Sequence, residues 1–168
     1  MDNNCLIMID MNICFIGHRK IWGGDVRDRL KRVVEDEIRG GGEFFTMGTH
    51  GDFDRMALGV CREMREKFKG IRIEVVLTSL KVLKKEIVFD DEYGTQFVVP
   101  YSDVETIMYD IEEEHFKRQI IVSNQKMIDR CDVLICFVDE RKKRSGARLA
   151  FEYAKKKGLK IINLFKDI

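Results

Sequence analysis

Asp132-Val133-Leu134-Ile135-Cys136-Phe137-Val138-Asp139 constrains the fold of this chain more than any other stretch. Its unbroken apolar character, with no polar alternation, reads as a central parallel strand covered on both faces. Such a strand needs helices above and below its sheet, and the flanking sequence supplies them. Met11 to Gly17 reads as a strand, followed by a loop through Lys20, Trp22, Gly23 and Gly24. Asp25 then caps a helix over 26–38, in which Leu30, Val33, Val34 and Ile38 recur at helical spacing. Gly40-Gly41-Gly42 stops that helix, Phe44 to Met47 form a second strand, and a glycine-bearing turn follows. Asp54 opens a helix that continues to about Lys69, with Met56, Val60, Met64 and Phe68 as its apolar stripe.

Residues 71–78 follow a Lys-Gly break and form a third strand, whereas 79–100 carry mixed signals and are expected to be an irregular insertion. A short strand over 104–109 precedes a helix starting at Glu112-Glu113-Glu114, whose Phe116, Ile120, Ile121, Met127 and Ile128 face inward. After the central strand, Ala147 to Lys157 form a helix ended by Gly158, and Leu159 to Phe165 form the last strand. Strands alternating with helices through mostly short loops predict an α/β fold. Its sheet is doubly wound and mostly parallel, with helices on both faces and right-handed crossovers.

The 168 residues fit one domain over 11–168, the first ten forming an extension, with Met11 an alternative start to Met1. Thirty lysines and arginines against 29 aspartates and glutamates argue against general nucleic-acid binding. The five cysteines contain no Cys-x-x-Cys pair and read as reduced thiols of a cytoplasmic protein. No apolar run is long enough for a bilayer, and the amino terminus is acidic where a signal peptide is basic.

In doubly wound sheets ligands bind beyond the carboxyl ends of the strands. Three loops fall there: Gly17-His18-Arg19, Gly48-Thr49-His50-Gly51, and Arg144-Ser145-Gly146. The spacing Gly48-x-x-Gly51-x-x-Asp54 matches neither the dinucleotide fingerprint nor a Walker loop. It forms either a phosphate cradle of free helix N–H groups or a tight turn with Asp54 as N-cap. Arg19 either clamps a phosphate or pairs with a surface carboxylate. His18 either fixes its loop or touches ligand, and Asp54 either caps its helix or accepts from a ribose hydroxyl. Lys117 and Arg118 lie on a charged helix and either reach the pocket or are solvated. Asn124 bonds a base or caps the residues after it, and the cations of 140–144 stand where a phosphate would arrive. His50 and His115 have no partner at metal-ligand spacing, so no metal site is expected.

Four motifs in a fixed order carry a resemblance. Phe-Ile-Gly-His-Arg comes first, then Gly-x-x-Gly-x-Phe-Asp at a helix start. Asn-x-x-Met-Ile-Asp-x-x-Asp then precedes a strand, and Ser-Gly-Ala leads into Glu-Tyr-Ala-Lys-Lys-Lys-Gly. From Met11 to about Phe165 the chain resembles the SLOG superfamily, the Rossmann-like group of lonely-guy phosphoribohydrolases, DprA-type proteins and ADP-ribose-type sensors. Small bacterial YpsA-like members are the nearer match. The resemblance implies a nucleotide or nucleotide-derived ligand: Gly17, His18 and Arg19 match its first loop, Gly48, Gly51 and Asp54 the second, Asn124 and Asp129 the segment before the central strand, and Gly146 the last loop, with Thr49, Arg118 and Ser145 completing the expected binding residues. It also implies a homodimer formed through the 112–127 segment. Ser123 stands where relatives often carry arginine, and Ser145-Gly146 where many have Gly-Gly. Aligned on Gly146, the lonely-guy Pro-Gly-Gly-x-Gly-Thr-x-x-Glu motif places Glu152 on the catalytic glutamate, but Arg148-Leu149 replace its Gly-Thr. The leading expectation is a nucleotide-binding sensor or regulatory domain. Its rivals are an N-glycosidic hydrolase of nucleoside monophosphates using Glu152, and an interaction module with a vestigial pocket.

Overall fold

The computed structural model describes residues 10–79, 87–91, 94–98, 101–111 and 115–165. Its elements are β1 (Met11–Gly17), α1 (Val26–Arg39), β2 (Gly42–Met47), α2 (Asp52–Lys67), β3 (Arg72–Leu77), β4 (Ile87–Asp91), β5 (Gly94–Val98), β6 (Glu105–Met108), α3 (Phe116–Asp129), β7 (Val133–Phe137), α4 (Gly146–Lys157) and β8 (Lys160–Asn163). Six strands form one all-parallel sheet in the order β6-β3-β2-β1-β7-β8. The chain runs outward from β1 through β2, β3 and β6, then returns to the other side of β1 with β7 and β8. The switch point of this doubly wound sheet therefore lies between β1 and β7, where Gly17 registers with Phe137.

Strand alternation sorts the core into two layers. Ile13 and Phe15 of β1 pack with Leu30 and Val34 of α1 and with Phe53, Ala57, Val60 and Met64 of α2. Cys14 and Ile16 point the other way, with Met127 and Ile128 of α3 and Ala147, Ala150, Phe151 and Ala154 of α4. β7 is buried at every position, as its apolar run predicts. Cys14, Cys61, Cys131 and Cys136 are free thiols, and among the described residues no helix is long and apolar enough to cross a membrane.

Several boundaries differ from the sequence reading for identifiable reasons. Residues 87–91 and 94–98 are not irregular: β4 and β5 pair antiparallel, Ile87 with Val98 and Asp91 with Gly94. α2 begins at Asp52 rather than Asp54, because the Asp52 N–H donates to the Arg19 carbonyl at 2.8 Å. Asp25 occupies the N-cap position of α1, yet its side chain makes no capping bond there and instead accepts from Arg29 Nε at 2.9 Å. Phe116, expected to face inward, is 60% exposed at the start of α3. The expected helix start at 112–114 lies outside the described residues, as do residues 1–9.

Candidate ligand cavity at the switch point

Phe137 ends β7 beside the end of β1, and the two strand ends are tied together by the residues that follow. The His18 N–H donates to the Phe137 carbonyl at 3.2 Å, and the Asp139 N–H donates back to His18 Nε2 at 2.8 Å. Asn163, at the end of β8, extends the ladder with its side chain: Oδ1 accepts from Val138 N–H at 3.0 Å and Nδ2 donates to the Val138 carbonyl at 2.9 Å. His18 is 6% exposed, and its other ring nitrogen lies 3.2 Å from Ser145 Oγ. Ser145 is the N-cap of α4 and accepts from the Arg148 N–H. Of the two readings of His18, the structure shows it fixing its loop: the ring joins the β1, β7 and α4 ends.

The second loop is locked to the first. Gly51 has φ +151°, and a Cβ there would stand 2.5 Å from Arg19 Cα. A Cβ on Gly17 would stand 2.4 Å from the Phe53 ring. Both glycines are therefore set by packing between loops and α2, and only Gly17 borders the cavity. Asp54 corrects the N-cap reading. It lies inside the first turn of α2, where its Oδ2 accepts from the His50 N–H at 2.8 Å. The Gly48–Asp54 loop thus spends two of its amides on the protein itself, His50 on Asp54 and Asp52 on Arg19. Thr49 Oγ1 is buried without a hydrogen-bond partner.

A cavity of about 860 Å³ opens over these strand ends. Its polar side is cationic, with Arg19, Lys20, Lys117, Lys142, Lys143 and Arg144; its apolar side is Ile120, Ile121, Ala147 and Leu149. Asn124, Ser145 and Gly146 also line it, together with His18, His50 and Asp54. Among the described residues Asp54 is the one carboxylate on this wall. Enclosure by protein pushes its carboxyl up to about 6, against the smaller opposing pull of the His50 N–H. Burial lowers the pKa of His18, helped by the nearby Lys142 charge, and burial followed by the Arg19 charge does the same for His50. Both shifts favour the neutral ring.

Among the described residues none of the six cations is ion-paired. Elsewhere arginines and lysines meet carboxylates: Arg27 with Glu63 at 2.8 Å, Arg62 and Arg65 with Asp103 at 2.6 and 2.7 Å, and Arg72 with Glu105 at 2.6 Å. Lys142 instead sits 4.7 Å from the ring centre of Trp22, which stacks on His18 at 6.2 Å and meets Phe137 and Phe165 edge-on.

The structure brings together Gly17, His18, Arg19, Asp54, Asn124, Ser145 and Gly146 on this cavity, and leaves Gly48, Thr49, Gly51, Arg118 and Glu152 off its wall. Lys117, not Arg118, faces the cavity, since adjacent helical residues point about 100° apart. Glu152 lies six residues beyond Gly146, roughly 9 Å further along α4. Lys20, His50 and Leu149 line the wall without having been read as binding residues; for Lys20 and Leu149 the signal available was their closeness to Arg19 and Gly146. No group of three or more His, Cys, Asp or Glu among the described residues is arranged to hold a metal ion.

Fold and cavity together define the class: a doubly wound α/β domain with an unpaired cationic cleft at the switch point of its parallel sheet. Compared with family models and with curated proteins, the sequence matches none.

Proposed function

We propose that the cavity binds a nucleotide or nucleotide-derived ligand, and that the chain is a sensor or regulatory domain of the SLOG type its motif order resembles. One observation carries this reading: six unpaired cations facing an apolar wall of Ile120, Ile121 and Leu149. Unpaired cations suit phosphate oxygens, and the apolar wall suits the face of a base. Asn124 supplies an amide for the base edge, and the open oxygen of Asp54 an acceptor for a sugar hydroxyl.

The phosphate is assigned to the Lys142–Arg144 side and the start of α4, not to the Gly48–Asp54 loop. A carboxylate already occupies that loop, and it would repel a phosphate at close range. Around Gly146, by contrast, an added Cβ would meet nothing within 4 Å. Glu152 stands off the cavity wall, so bond cleavage is not part of this proposal.

Calorimetric titration with nucleoside mono- and diphosphates, cyclic nucleotides and ADP-ribose tests it. The expected result is saturable binding to at least one of them, weakened by added salt and by Lys142→Ala with Arg144→Ala. Silence across the series with folded protein would remove the reading.

A further inference from the structure

Ser145 and His18 form a hydroxyl–imidazole pair, 3.2 Å apart, at the edge of the cavity. Such a pair is either a nucleophile with its base or a donor with its support, and the proton on the ring decides which. The Asp139 amide settles the position of that proton. Its N–H donates to His18 Nε2 at 2.8 Å, so Nε2 presents a lone pair. In the neutral ring the proton is then on Nδ1, and Nδ1–H donates to Ser145 Oγ. Ser145 Oγ also accepts the Arg148 N–H at 3.3 Å. A hydroxyl oxygen has two acceptor sites and one proton. Both acceptor sites are filled from the protein side, which leaves the serine O–H as the remaining valence, on a residue that lines the cavity among cations.

We propose that Ser145 is a dedicated donor to the anionic group of the ligand, and that His18 is a positioning residue that holds the serine hydroxyl in that single orientation. The assignment rests on the nucleotide reading for the identity of the anion, but not for the arrangement of the protons. It also excludes the nucleophilic alternative, because a ring that donates to the serine cannot take the serine's proton. The same relay joins three strand and helix ends, so the donor is set in place as the sheet folds.

Two measurements test it. The chain has three histidines, so nitrogen-15 spectra of histidine-labelled protein, compared with His18→Gln, isolate the His18 ring without any ligand. A pyrrole-like Nδ1 and pyridine-like Nε2 are expected at pH 7; the opposite tautomer would overturn the assignment. Calorimetry with adenosine 5′-monophosphate then compares Ser145→Ala, Ser145→Thr and His18→Gln. Loss of a hydrogen bond to a charged group predicts about tenfold or greater weakening in Ser145→Ala, with Ser145→Thr close to the parent. His18→Gln keeps an acceptor for the Asp139 amide but carries its NH2 one bond further out than Nδ1, away from the serine, and weakens binding several-fold. Undiminished affinity in Ser145→Ala, with the Nδ1 proton in place, overturns the donor role alone. A parent protein silent towards the monophosphate and its relatives overturns the nucleotide reading and the donor role with it.

Discussion

Asp54→Asn is expected to stabilise the protein at neutral pH and to leave it unchanged in acid. The ordinary value of 3.8 for this carboxyl rises to about 6 in the folded protein, chiefly through burial. A carboxyl whose folded value is raised favours the native state while it is protonated. That favour is complete below the unfolded value and is lost as pH climbs through the folded one. At about 1.4 kcal/mol for each factor of ten in the protonation equilibrium, the shift corresponds to a ceiling of about 3 kcal/mol lost above pH 6. The carboxylate keeps one side open to the cavity, so solvent reduces this to about 1–2 kcal/mol. Asparagine retains an oxygen for the His50 N–H and removes the charge. Urea denaturation near pH 4 and at pH 7.5 measures the effect. The variant should match the parent at the lower pH and exceed it by about 1–2 kcal/mol at the higher. Equal stability at pH 7.5, or a gain of the same size at both, would refute the argument that ionised Asp54 is held against its desolvation cost.

Two further outcomes follow from the same loops. Gly17→Ala forces a methyl group into the Phe53 ring and should cost about 1–3 kcal/mol in denaturant melts. Gly51→Ala, meeting Arg19 backbone at a φ of +151°, should cost more, and a neutral result at either position would show that the loops are loosely packed. Trp22 is the only tryptophan and carries the Lys142 ammonium over its ring, so inorganic phosphate or nucleotide that recruits Lys142 should change its fluorescence. Lys142→Ala should abolish that response, and an unaltered response would place the anion elsewhere.

The sheet and its helices were legible because burial on two faces writes long apolar runs, as in β7, and one-sided burial writes helical stripes, as in α1 and α2. Strand ends facing one another were legible for the same reason, since a parallel sheet gathers the loops after β1, β2 and β7. What misled were features fixed by distant partners. An aspartate before a periodic run reads as a cap, but the Arg19 carbonyl, more than thirty residues earlier, moves the helix start to Asp52. The 79–100 stretch offered apolar residues at helical spacing around Leu80 to Ile87. The turn-like residues 90–94, flanked by Val88, Phe89 and Phe97, were the better signal for the β4–β5 hairpin. Lys117 and Arg118 could not be separated without the phase of α3, and the glutamate alignment ignored the length of helix between Gly146 and Glu152. The Asp139 amide that fixes the His18 proton carries no side-chain signature in the sequence.

The contact between Gly51 and the Arg19 backbone makes the two sides of the cleft unequal in the disorder they surrender to a guest. The glycine-locked side has its backbone geometry from folding, with only the exposed Arg19 and Lys20 side chains left to order. On the opposite side Lys142, Lys143 and Arg144 are exposed, and each gives up rotameric freedom on closing over an anion. On the proposed reading, affinity would be most readily tuned from the 140–144 segment: a substitution that stiffens it, with no contact to the guest, would tighten binding by lowering the entropic toll of capture.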